Sequence, residues 1–185
     1  KYKPELALDY AFALAQAGEP LAAGDAARSV IVAEGAGQSR FRAWILLGQI
    51  ALDAGKEGEA VAAALEARKE APTERGPVRF AARLAGALQN PEPLLAMFDD
   101  VLAKQEDPDC RFFALFGAWT ATTKLAIVLG KDADGPDPHG YWARLRDLDP
   151  GQLDALSRRY QVISLLPAHT EETAALRKML EEMQA

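Results

Sequence analysis

Cysteine and histidine are nearly missing from this chain. One cysteine, Cys110, in 185 residues rules out an internal disulfide and leaves the redox compartment open. The two histidines, His139 and His169, stand outside any helical ligand pattern such as H-E-x-x-H. Both read as solvated loop residues, and no metal is expected. Basic charge is in deficit, with 21 Lys and Arg against 27 Asp and Glu and a formal net charge of -6. A broad phosphate-binding footprint needs clustered Lys and Arg, so nucleic acid is not an expected partner. Long apolar runs are missing too. The best one, Phe112 to Thr123, ends at Lys124 and falls short of the ~20 residues needed to cross a bilayer. β-branched residues are sparse and no segment alternates cleanly, which argues against strands. The glycines form neither G-x-G-x-x-G nor a Walker A run, so no nucleotide cofactor is indicated. The first residue is Lys1 rather than Met, which reads as a processed product or a fragment, and a removed leader is compatible with it.

What is present is helix, punctuated by Gly and Pro. Hydrophobic residues make up 49% of the chain, enough for one compact domain or a short solenoid. The spacing predicts helices over about Pro4–Ala17, Pro20–Ala33, Arg40–Ala54, Glu57–Glu70, Pro77–Gln89 and Asp109–Leu129. A sixth helix, before the last of these, opens at the cap pair Asn90-Pro91. Its apolar face is Leu94, Leu95, Phe98, Val101 and Leu102. The β-branched run Val30-Ile31-Val32 is placed at the end of the second helix. Residues 130–140 (GKDADGPDPHG) read as a loop. A short helix over Tyr141–Arg146 follows, then one opened by Asp149-Pro150, and a last one from about Glu171. Leu176, Met179, Leu180 and Met183 form the apolar stripe of that last helix.

Several residues invite a chemical reading. Asp132, Asp134 and Asp137 resemble part of a calcium loop, but the closing Glu is missing and Pro136 and Pro138 interrupt it, so a polar turn is expected. Arg111 beside Cys110 would lower the thiol pKa if exposed, yet a buried or bystander thiol is the plainer reading. Asp99-Asp100 and Glu181-Glu182 point about 100° apart on a helix and mark a solvated face. No nucleophile, base and ligand converge, so an enzyme is not expected.

One register organises the chain. Trp44, Leu47, Gly48 and Ala51 in one helix are followed by Ala60, Ala67 and Pro72 in the next. Small residues suit close helix crossings, the large one fills the groove between neighbours, and proline stops the second helix. This pattern resembles the tetratricopeptide repeat (TPR), a helix–turn–helix unit of about 34 residues. Ala51 and Ala64 depart from it, standing where an aromatic is usual. Weaker copies surround it. Upstream, Tyr10, Ala11 and Leu14 precede Gly18, and Ala23, Ala27 and Val30 follow it. Downstream come Val78, Ala81, Ala82 and Ala85, then Ala96, Ala103 and Pro108, then Phe113, Phe116, Gly117 and Thr120. The resemblance implies an all-α, right-handed α-solenoid of TPR-like hairpins over residues 1–129. The loop 130–140 and a C-terminal helical cap over 141–185, packed on the repeats, complete the expected domain plan. A generic helical bundle with Ala-rich crossings is the alternative.

In that family the first helix of each pair lines a concave wall. Carrying the register across puts Leu8 and Phe12 there from the first copy, and Arg42, Ile45, Gln49 and Asp53 from the second. Arg79 and Arg83 come from the third copy and Arg111 from the fourth. Four arginines on one wall suit an acidic or C-terminal peptide, because a guanidinium grips a carboxylate with paired hydrogen bonds. Phe12 and Ile45 would supply apolar contacts. The plainer alternative is that these arginines pair with neighbouring carboxylates. The Lys/Asn clamp of chaperone-binding members is not matched, since Leu8 and Phe12 stand in its place. The expected function is therefore a non-catalytic scaffold for a partner protein or acidic peptide, free or as a regulatory part of a larger protein. The alternative is a self-associating module, a homo-dimer through the C-terminal helix.

Overall fold

The structure is a computed structural model and describes residues 3–33, 37–129 and 138–147. The expected helices after Asp149, with the stripe Leu176, Met179, Leu180 and Met183, lie outside the described residues, as do His169, Glu181-Glu182 and the Asp132–Asp137 turn. Every regular element among the described residues is helical. They are α1 (Pro4–Gln16), α2 (Pro20–Val32), α3 (Gln38–Asp53), α4 (Glu57–Glu70), α5 (Arg75–Ala87), α6 (Leu95–Lys104), α7 (Pro108–Leu129) and α8 (Pro138–Arg146). The chain forms two units, residues 1–84 and 85–185, with the boundary inside α5.

In the first unit, α1 pairs with α2, α3 pairs with α4, and α3 also packs on α2 and α1. The two hairpins turn in the same way. At the end of α1 the Gly18 N–H donates to Ala15 O (3.1 Å) and the Glu19 N–H to Leu14 O (3.0 Å). At the end of α3 the Gly55 N–H donates to Leu52 O (2.9 Å) and the Lys56 N–H to Ala51 O (2.8 Å). Both are Schellman closures, which need a left-handed residue at the crossing. Gly18 has φ 79° and Gly55 φ 71°, so glycine is required at each. Gly55→Ala is expected to lower stability by about 1 kcal/mol, read as a lower denaturation midpoint. Nothing lies within 4 Å of the added methyl, so the loss measures backbone conformation alone.

The small residues of the register meet where these helices cross. Ala23, Ala27 and Val30 of α2 and their counterparts Ala60, Ala64 and Ala67 of α4 are all buried. Leu8, Ala11, Ala27, Val30, Ala43 and Leu46 form one core cluster. Trp44 and Ile45 pack on a second, made of Phe41, Ala67 and Ala71. Gly48 is kept bare by its neighbours. A Cβ there would lie 2.7 Å from two atoms of the Phe80 ring and 3.2 Å from the Ala63 methyl.

In the second unit α7 is the centre. Residues 112–123 are buried without interruption, so this helix is apolar all round and needs neighbours on more than one side. α6 and α8 supply them. The α7 helix starts at Pro108 because Asp107 accepts the Cys110 N–H (2.8 Å), an N-cap followed by proline in the first turn. Gly117 again receives an aromatic ring. A Cβ there would overlap Phe98 of α6.

The sixth helix departs from the expected register. Asn90 accepts the Glu92 N–H (3.1 Å), a 3-10 turn occupies Glu92–Leu94, and α6 begins only at Leu95. The turn resets the helical phase. Ala96 and Ala103, expected at a crossing, face solvent, while Met97, Phe98, Val101 and Leu102 are buried.

Tyr141 ties α8 to α6. Its hydroxyl donates to Asp99 Oδ1 (2.7 Å). Burial, and then the Asp99 carboxylate that accepts its proton, push the phenol up from 10.0 to about 12. A folded pKa above the unfolded one means that this contact stabilises below pH ~10 and is lost as pH rises through ~12. In a spectrophotometric titration of the four tyrosines, Asp99→Asn should bring one of them down towards its ordinary range.

Candidate functional site

All of the expected wall residues except Arg111 lie within residues 1–84. Phe12 and Arg42 do come together: the Arg42 guanidinium carbon stands 5.9 Å from the centre of the Phe12 ring. This is a cation–π distance, and it joins α3 to α1. Gln49 is the second junction. Its Oε1 accepts a hydrogen bond from Arg83 Nη2 of α5, while its Nε2 donates to Asp53 Oδ1 (2.6 Å). Gln49 and Arg83 are 34 residues apart, the separation of the positions that the sequence pattern aligns, and the bond brings α3 and α5 together at this point.

Charge on this wall is left available. Arg42 and Arg83 are exposed, and neither is paired with a carboxylate among the described residues. Several surface cations elsewhere have carboxylate partners: Arg28 with Asp25 (2.6 Å), Lys69 with Glu66 (2.5 Å), Arg40 with Glu70 (3.3 Å) and Lys104 with Asp100. Arg79 is exposed, four residues before Arg83 on the same helix. The Gln49 amide sits between Arg83 and Asp53, so the carboxylate reaches the guanidinium only through a neutral group.

Other expected members have different tasks. Leu8 is fully buried in the core cluster, so it is no part of the wall; its position on α1 turns inward, opposite the exposed Leu6 and Tyr10. Ile45 is half-buried among Phe41, Ala67 and Ala71. Arg111 belongs to the second unit, where its Nη1 donates to the carbonyls of Leu102 and Gln105 (3.2 Å each). It satisfies the open carbonyl end of α6, a need that every helix C-terminus has. Lys124 does the same for Gly86 O (3.0 Å) and Leu88 O. Register counting finds neither contact, because both depend on which carbonyls the fold brings near.

No group of three potential metal ligands occurs among the described residues, and no described helix is long and apolar enough to cross a membrane. Cys110 is fully buried, so its thiol is shielded from reagents. Asp99 and Asp100 have separate partners, Tyr141 and Lys104. Comparison with protein families, characterised proteins and solved structures returns no match.

Proposed function

We propose that residues 4–84 begin a TPR-like α-solenoid whose first-helix face, carrying Phe12, Arg42, Gln49, Arg79 and Arg83, holds an acidic segment of a partner protein, without catalysis. The observation that carries this reading is the Arg83–Gln49 bond between α3 and α5, at positions that the sequence pattern aligns. It supports consecutive first helices lying side by side with one face in common. The second support is the pair of matching Schellman turns at Gly18 and Gly55. The third is the absence of a carboxylate partner on Arg42 and Arg83 among the described residues. An incoming carboxylate can take the Arg83 fork, whose remaining donors are in water, while Phe12 keeps the Arg42 guanidinium in place. Arg111 has no part in this site.

The test is affinity capture from the native host with the full chain as bait. Wild type is run beside Arg42→Glu/Arg83→Glu and beside Arg28→Glu, a reversal on α2. A charge-assisted hydrogen bond is worth about 1.5–3 kcal/mol, so each lost arginine should weaken binding about tenfold or more. The expected result is a partner retained by wild type and Arg28→Glu, lost from the double variant, and displaced by excess polyglutamate. Equal retention on all three baits contradicts the proposal.

A further inference from the structure

Gln49 separates two opposite charges, and its amide has one way to do so. An ionised carboxylate only accepts hydrogen bonds and a guanidinium only donates them, whereas an amide does both. Gln49 Nε2 therefore donates to Asp53 Oδ1 (2.6 Å), and Gln49 Oε1 accepts from Arg83 Nη2. Turning the amide over would set N–H against N–H and oxygen against oxygen, so its two neighbours hold it in one orientation. The helix supplies the spacing. Gln49 and Asp53 are four residues apart on α3 and so share a face. Gln49 is half-buried, while Asp53 and Arg83 are exposed.

This bond leaves most of Arg83 unused. A guanidinium carries five N–H groups in a rigid plane and presents two edges, each with two parallel donors. Nη2 has one hydrogen on each edge. Whichever of them the single oxygen of Gln49 accepts, the other edge keeps both of its donors. A carboxylate in that place would take a whole edge and cancel the charge as well. Arg42 is held in a comparable way, by the neutral ring of Phe12 at 5.9 Å. Arg28 and Arg40 are held by carboxylates instead. The two arginines on the wall thus share a feature: each is steadied by a group that does not neutralise it. Arg42 and Gln49 are seven residues apart on α3, two turns along one face.

We propose, on the reading of this wall as the seat of an acidic segment, that Gln49 is the positioning residue that sets its ligand chemistry. It fixes the plane of Arg83 and leaves one intact edge, with the full charge, for a side-chain carboxylate of that segment. The guanidinium then holds the carboxylate by two parallel hydrogen bonds. Asp53 anchors the far end of the amide, so the arginine is oriented before the ligand arrives and loses less freedom on binding. The site takes one planar carboxylate at Arg83, edge-on, and an ammonium in place of the guanidinium cannot reproduce that grip.

Isothermal titration calorimetry of the full chain with octaglutamate capped at both ends tests this, at low ionic strength where exposed charges are least screened. Wild type should bind and Arg42→Glu/Arg83→Glu should not. Gln49→Glu sets a carboxylate against Arg83 and fills the site from within. It should bind at least about tenfold more weakly, yet its denaturation midpoint should hold, because it gains an ion pair. A merely structural Gln49 would move affinity and stability together. Gln49→Ala releases the guanidinium and should bind about threefold more weakly. Arg83→Lys keeps the charge without the fork and should lose about tenfold. Suppose the double arginine variant loses binding while Gln49→Glu, Gln49→Ala or Arg83→Lys binds like wild type. The wall then stands and the role of Gln49 is overturned, as it is if the Gln49→Glu midpoint falls with the affinity. A wild type that does not bind, or a double variant that binds as wild type does, removes the wall and this inference with it.

Discussion

Phe98→Ala should lower stability by about 3–5 kcal/mol, the range for deleting a buried aromatic side chain. Phe98 is fully buried, and its ring lies against Gly117 on α7. Removing it leaves a void beside a residue that has no side chain to fill it. α7 itself carries Phe112, Phe113, Phe116 and Trp119, all fully or nearly fully buried, with rings edge-on, stacked or tilted against one another at 5.4–6.2 Å between centres. Rings held that way relax little into a gap. Urea denaturation followed by tryptophan fluorescence measures the loss, because Trp119 is in this cluster. A loss under about 1 kcal/mol would mean that the ring does not occupy the seat on Gly117.

Gly48→Ala should change sign with its neighbour. In the wild-type background the methyl meets the Phe80 ring at 2.7 Å and Ala63 at 3.2 Å, and overpacking of this kind costs about 1–3 kcal/mol. Phe80→Ala alone should cost about 3–5 kcal/mol, since Phe80 is buried. With the ring gone, the methyl enters vacated space, and alanine's helix preference of about 1 kcal/mol over glycine is no longer outweighed. The double variant should then be as stable as Phe80→Ala or slightly better. Denaturation of the four proteins gives the coupling energy. Additivity to within about 0.5 kcal/mol would contradict the proposed contact.

Much of the helical plan was legible. The α4 bounds Glu57–Glu70 and the stops at Gly18 and Gly55 agree with the structure, because glycine at a helix end has a local physical reason that needs no tertiary information. The β-branched run at Val30–Val32 does end α2. The burial of Ala60, Ala64 and Ala67, with their counterparts in α2, followed from spacing alone. The register failed where a local turn overrode it. Asn90, Pro91 and Pro93 build a 3-10 turn that shifts the phase of α6, so Ala96 and Ala103 emerge into water. Counting residues also could not separate wall from core. Leu8 and Phe12 are four apart on one helix, yet Leu8 faces inward and Phe12 meets Arg42. Nor could it give Arg111 its place at the end of α6. The Phe80 and Phe98 contacts were missed because a glycine's bare surface says that something approaches closely, without saying which residue does.

The most direct test of the proposed wall is the amide hydrogen-exchange footprint of the captured partner on the wild-type chain. The account predicts new protection on α3 and on α5, around Arg42, Gln49, Arg79 and Arg83, with α2 and α4 unchanged. Protection confined to α2 and α4, or to α7, would contradict it and move the binding surface elsewhere.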